Sequence, residues 1–160
     1  MSTSADAMAR TNGAVHDEHN IRGFFGDYRF LSNFHPCSIV HGFTYPSVEN
    51  AYMAQKTLNE DIQLQFTDPN LSSKDAKRIG RTIPLRPDWE QVKFEVMYDL
   101  NWYKYNTHQD LKNLLLLTGY RYLEETNWWN DKIWGVCNGD GRNMLGKCLM
   151  RIRAELMYPL

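Results

Sequence analysis

Glu49 and Lys56 share the stretch Tyr45-Pro46-Ser47-Val48-Glu49-Asn50-Ala51-Tyr52-Met53-Ala54-Gln55-Lys56. In a helix, positions 49, 53 and 56 follow one another at four- and three-residue steps, so the acid and the amine lie on one face with Cα atoms about 10 Å apart. That separation suits the two ends of a small ligand and is too wide for a salt bridge. A carboxylate and an amine so placed can move protons, and a desolvated amine can also attack an imine carbon. Glu49 equally fits a first-turn charge favoured by the helix dipole, and Lys56 a phosphate ligand or the partner of an acid. A second acid, Asp131, sits in a loop with Trp128, Trp129 and Trp134. Two carboxylates can cleave a glycosidic bond through an oxocarbenium-like transition state, while an Asp in such a loop also serves as a turn cap.

The elements that must position these residues follow from local signals. Ser47 is a good N-cap, and Pro46 before it keeps the entry extended. Val48, Ala51, Tyr52 and Gln55 then form an inner stripe beside the Glu49 face. Upstream, residues 37–40 and 43–45 flank His41-Gly42 as a hairpin, preceded over 22–34 by a strand and a folded loop. Downstream, 59–66 reads as a short helix. Ser72-Ser73-Lys74-Asp75 opens another that ends at Gly80, with Arg81 just outside, where it can pair with a sugar phosphate or cap terminal carbonyls. Asp88 is expected to cap the longest helix, 89–105, whose core stripe is Trp89, Val92, Val96, Leu100 and Tyr103. A further helix carries Leu111, Leu114 and Leu115 and closes at Thr118-Gly119, and 120–124 is a short extended piece. Residues 127–143 show no period, and Asn143 can cap a last helix with Leu145, Cys148, Leu149, Ile152 and Leu156 inside. The expected fold is mainly α: a single multihelical domain over 21–160 with a small β hairpin or sheet element. Residues 1–20, polar and nearly free of large apolar side chains, are expected as a disordered tail.

Composition removes several function classes. With 18 Lys+Arg against 19 Asp+Glu the formal charge is −1, unlike a protein that coats nucleic-acid phosphate. A single-stranded nucleic-acid module built on the five Trp would need a steeper salt dependence than this charge provides. The three cysteines, Cys37, Cys137 and Cys148, are odd in number and lack paired metal-type spacing, which points to a reduced, cytoplasmic setting. No apolar run reaches membrane-spanning length, so no membrane partner is expected. Gly139-Asp140-Gly141 lacks the strand and spacing of a dinucleotide fingerprint, and neither an H-E-x-x-H nor a G-x-S-x-G occurs. No metal and no cofactor is expected.

Several segments occur in a telling order: Phe30-Leu31-Ser32-Asn33-Phe34, Pro46-Ser47-Val48-Glu49 through Gln55-Lys56, and Ile79-Gly80-Arg81. Leu85-Arg86-Pro87-Asp88-Trp89-Glu90, Leu117-Thr118-Gly119, Asp131 with Trp134-Gly135, and Gly141-Arg142-Asn143-Met144-Leu145-Gly146 follow. Together, over about 22–156, they resemble the YbiA-like, or NADAR, N-glycosidase family. The resemblance implies an active site lined by Glu49, Trp89, Asp131 and Trp134 with Lys56 at its edge, and substrate contacts from Asn33, Arg81 and Asn143. Asn50 departs from the pattern, since relatives often carry His after the Glu, and that bears on ligand preference. The family cleaves N-ribosyl bonds in phosphoribosylamino-pyrimidine intermediates of riboflavin synthesis or in ADP-ribosylated guanine. The implied partner is therefore a ribosylated small molecule or ADP-ribosylated nucleic acid, and an antitoxin role would add a toxin-type ADP-ribosyltransferase as counterpart. The alternative from another class is a non-catalytic ADP-ribose or NAD-binding module, which could dispense with both acids.

Overall fold

The computed structural model describes residues 4–160, which form two compact units: residues up to Ser32 together with Gln109–Leu160, and Asn33–His108. The fold is mainly α with small β elements.

The Asn33–His108 unit is built around one short helix. β3 (Pro36–His41) and β4 (Phe43–Ser47) pair antiparallel about Gly42, whose φ of 75° suits the tight turn expected at His41-Gly42. β4 runs straight into α2 (Val48–Gln55), which is surrounded by β3, β4, α3 (Glu60–Gln65), α4 (Ser73–Gly80) and α5 (Trp89–Thr107). As a result all eight α2 residues are buried, including the Glu49 face that the stripe analysis left outside the apolar one. Ser47 caps α2 through its Oγ, which accepts the Asn50 N–H at 3.1 Å, and Ser72 caps α4 by accepting the Asp75 N–H at 3.1 Å. Asp88 occupies the α5 N-cap position but does not cap, because Arg86 claims both carboxylate oxygens at 2.6 and 3.0 Å. The buried face of α5 also differs from the apolar stripe, comprising Trp89, Met97, Leu100, Asn101, Lys104 and Tyr105. Two of these are polar, so hydrophobic periodicity alone could not locate the face.

The other unit contains α1 (Ser4–Thr11), β1 (Val15–His16), β2 (Asn20–Arg22), a 3-10 helix (Gly26–Leu31), α6 (Gln109–Leu117), β5 (Tyr122–Glu124), β6 (Thr126–Asn127), β7 (Val136–Cys137) and α7 (Met144–Met157). One sheet has the order β1-β2-β5, with β2 and β5 parallel, and β6 pairs parallel with β7. The segment expected as a disordered tail thus carries ordered structure over its described residues. Its anchors are tertiary: Asn12 Nδ2 donates to the Asn127 carbonyl at 2.8 Å, and the His16 ring packs 4.7 Å from both Phe25 and Tyr28. α7 lies on β5 so closely that a Cβ at Gly146 would stand 2.1 Å from the Leu123 carbonyl oxygen, which accounts for a glycine in this helix.

Candidate functional site

Glu49 reaches its place through a short chain of local and tertiary restraints. Ser47 Oγ holds the start of α2, and it receives a second hydrogen bond from Ser73 Oγ at 2.9 Å, which ties α4 to the same turn. The Glu49 N–H, one of the unpaired donors of a first helical turn, donates to the Asn33 carbonyl at 3.0 Å. Its side chain is 7% exposed. Asn50, the position that departs from the family pattern, is fully buried, and its Nδ2 donates to the carbonyls of Phe66 at 3.3 Å and Leu71 at 3.0 Å. That amide fastens α2 to the loop after α3, so its role here is architectural.

Lys56 occupies the C-cap of α2, and its carbonyl accepts the Arg86 N–H at 2.6 Å, which returns the proline-containing linker to the end of the helix. Burial holds the Lys56 amine below the usual lysine range, the Glu49 carboxylate opposes that shift, and the charges of Arg81, Lys77 and Lys93 add to it. The Lys56 amine therefore senses one carboxylate and three other cationic side chains within this unit. Lys77 lies 5.8 Å over the Phe34 ring and Lys93 pairs with Glu90 at 2.5 Å, while Arg81 sits exposed at the C-cap of α4. Trp89, the first residue of α5, is buried with its ring 5.1 Å from that of Tyr52 on α2, at 54°. Asn33, Glu49, Lys56, Arg81 and Trp89 are all carried by this one unit. Lys77 and Lys93 were not among the residues singled out from the sequence. The available signal was spacing, since Lys77 precedes Arg81 and Trp89 precedes Lys93 by one helical turn.

Asp131, Trp134 and Asn143 belong to the other unit. Asp131 Oδ1 accepts the N–H groups of Ile133 at 3.1 Å and Trp134 at 2.9 Å, and Asn127 brackets the same residue, accepting its N–H at 3.0 Å and donating to its carbonyl at 2.8 Å. One carboxylate oxygen is thus engaged in shaping the turn. Trp134 is half-buried, whereas Trp128 and Trp129 are exposed and meet edge to face at 4.8 Å. Asn143 stands at the N-cap position of α7 with φ 51° but makes no side-chain cap bond. Instead its Nδ2 donates to Leu123 O at 2.9 Å and Tyr122 Oη at 3.1 Å, and its Oδ1 accepts the Glu125 N–H at 3.1 Å. Its amide joins α7 to β5 rather than pointing unpartnered at a ligand. Among the described residues no three His, Cys, Asp or Glu side chains group as metal ligands, and no helix is long and apolar enough to cross a membrane.

Known proteins resemble this chain in sequence and fold. N-glycosidase YbiA of Shigella boydii is 39% identical over 135 residues, covering 81% of this chain and 82% of that protein. The chloroplastic riboflavin biosynthesis protein PYRR of Zea mays is 36% identical over 88% of this chain, which spans only 26% of that longer protein. The NMR structure of the Escherichia coli protein YbiA superimposes with a TM-score of 0.77 at 36% identity, covering 89% of this chain and 88% of that one. A family profile for the NADAR domain matches residues 19–157, nearly the whole described chain, and on these grounds the chain belongs to the NADAR domain family.

Proposed function

We propose that this chain is an N-glycosidase that hydrolyses the bond between a ribose carbon and the exocyclic amine of a base, as in ADP-ribosylated guanine or a phosphoribosylamino-pyrimidine. The observation that carries this reading is a buried Glu49 in the first turn of α2 and, at its C-cap, a Lys56 amine whose pKa burial lowers, Glu49 raises and three neighbouring cations lower further. In an N-ribosyl amine the sugar ring can open to an imine at the reacting carbon. The neutral Lys56 amine adds to that carbon, the exocyclic amine leaves with a proton delivered by Glu49, and the lysine is left as an imine of the sugar. Water then adds to this imine, with Glu49 taking a proton, and the free sugar aldehyde departs as the lysine amine is restored. Asp131, which the family resemblance puts among the catalytic acids, keeps one carboxylate oxygen outside the turn bonds. Lys77, Arg81 and Lys93 suit the phosphate of the ribosyl group, and Arg81 offers a planar donor fork for it. Trp89 supplies a face for the base, and Asn33 a hydrogen bond to the sugar. Asn143 holds α7 to β5.

The test is product release from a guanine-ADP-ribosylated oligonucleotide and from a phosphoribosylamino-pyrimidine, followed by chromatography. The reading expects free base amine and free sugar phosphate from at least one of them. Tight ADP-ribose binding by the wild-type protein with no bond cleavage in either substrate would instead establish a non-catalytic binding module.

A further inference from the structure

Asn33 joins Met97 and Asn101 of α5 in a small buried cluster. Asn33 is 6% exposed, Met97 1% and Asn101 0%. Asn101 Nδ2 donates to the carbonyl of Met97, one turn earlier on α5, at 3.1 Å, and to Asn33 Oδ1 at 3.2 Å. Asn33 Nδ2 in turn has Met97 Sδ as its acceptor, at 3.3 Å.

These contacts have a fixed polarity. A backbone carbonyl only accepts, so the Asn101 amide must turn its NH2 toward Met97 O, and the same NH2 then faces Asn33. Asn33 must meet it with Oδ1, which turns its Nδ2 to the Met97 side of the same cluster, where Asn101 Nδ2 also meets Met97 Sδ at 3.3 Å. There it finds a thioether, a weak acceptor that a ligand oxygen would readily outcompete. Asn101 Oδ1 is itself buried without a hydrogen-bond partner among the described residues, a cost that a leucine of similar shape would avoid. A residue kept at that cost is explained by what it does to Asn33. The main chain of Asn33 also holds the first turn of the Glu49 helix, so the amide and the carboxylate share one mount.

We propose that Asn101 is a positioning residue that locks Asn33 as a hydrogen-bond donor toward an oxygen of the substrate's ribose. This inference rests on the N-glycosidase reading for the identity of the ligand, while the locking of Asn33 is a property of the free protein.

The decisive measurement is a double-mutant cycle of Asn101→Leu and Asn33→Ala, read as kcat/KM on whichever of the two ribosylated substrates is cleaved. Asn33→Ala leaves the backbone carbonyl that holds Glu49 in place. Each single variant should lower kcat/KM by about tenfold, and the double variant should be no worse than Asn33→Ala alone. Multiplying effects on kcat/KM, or an Asn101→Leu enzyme with unchanged kcat/KM, would overturn the proposal. Asn101→Ser takes the place of Asn101→Leu if the latter does not fold. Absence of turnover in the wild type would refute the N-glycosidase reading without touching the orientation, which side-chain amide NMR of the free protein then decides. The Asn33 amide signals should move in the Asn101 variant while those of buried Asn50 stay, and unmoved Asn33 signals would sink the inference.

Discussion

The carbonyl oxygen of Asn33 accepts the backbone N–H of Glu49 at 3.0 Å, so the segment entering β3 and the first turn of α2 are fastened together at the acid itself. The backbone that carries Glu49 is thereby held from two sides, by the Asn33 carbonyl and by Ser47 Oγ, which accepts the Asn50 N–H. Glu49→Gln should leave the melting temperature within a few degrees of wild type while turnover falls roughly 10²–10⁴-fold, the usual contribution of general acid–base catalysis. A variant that keeps more than about a third of the wild-type rate would reduce Glu49 to a helix-terminus charge.

Lys56 predicts a pH dependence with a definite sign. Burial, the largest cause, lowers the pKa of its amine in the folded protein, Glu49 raises it, and Arg81, Lys77 and Lys93 lower it further. The unfolded chain therefore binds more protons between the lowered folded value and the ordinary lysine value of 10.5, so stability rises with pH across that window and the penalty is complete below it. The neutral, reactive amine likewise appears at lower pH than in an exposed lysine. Arg81→Ala should shift the rising limb of kcat/KM against pH to more alkaline values, by removal of a cation that disfavours protonation. Borohydride added during turnover should leave a stable sugar adduct on the Lys56 peptide, detectable by mass spectrometry. No adduct, together with near-normal rate in Lys56→Arg, would favour direct displacement by water led by Glu49 and Asp131.

Asp131 has both a structural and a proposed chemical task, and two substitutions separate them. Asp131→Asn retains an oxygen able to accept the Ile133 and Trp134 N–H groups, so the turn should survive while turnover drops. Asp131→Ala loses those bonds and should also lower the melting temperature. If Asp131→Asn keeps its rate per folded molecule, capping is the whole role of the residue.

Gly80 tests the mounting of the site. A Cβ there would stand 2.1 Å from Met53 Sδ and 3.1 Å from Met53 Cβ, because α4 lies directly on the buried α2. Gly80→Ala should cost about 1–3 kcal/mol, as overpacking typically does, read from urea unfolding. Stability equal to wild type would mean that the α2–α4 contact yields easily.

Exhaustive dialysis against EDTA should leave the rate unchanged, since the proposed steps use only side-chain acids and amines. A loss restored by Mg²⁺ or Zn²⁺ would make the acids ligands and remove them from the proton-transfer scheme.

Local determinants were legible in the chain itself. The Ser47 and Ser72 caps, the Gly42 hairpin turn, the α4 stop at Gly80 and the α5 start at Trp89 depend on backbone groups within about four residues, where side-chain type dictates geometry. The spacing that puts Glu49 and Lys56 on one face is equally local. Where two donors compete for one group, the outcome belonged to the tertiary structure. Arg86 takes the Asp88 carboxylate from the α5 cap, and the Glu125 N–H takes the Asn143 Oδ1 from the α7 cap. Burial, too, was decided there. α2 is enclosed on all sides by five other elements, which desolvates the Lys56 amine, and the buried face of α5 runs through Asn101 and Lys104. Residues 4–22 acquire their order from Asn127, Phe25 and Tyr28, partners that become neighbours only when the chain folds. Desolvation and long-range hydrogen bonds are sums over residues distant in sequence, so no local pattern could carry them.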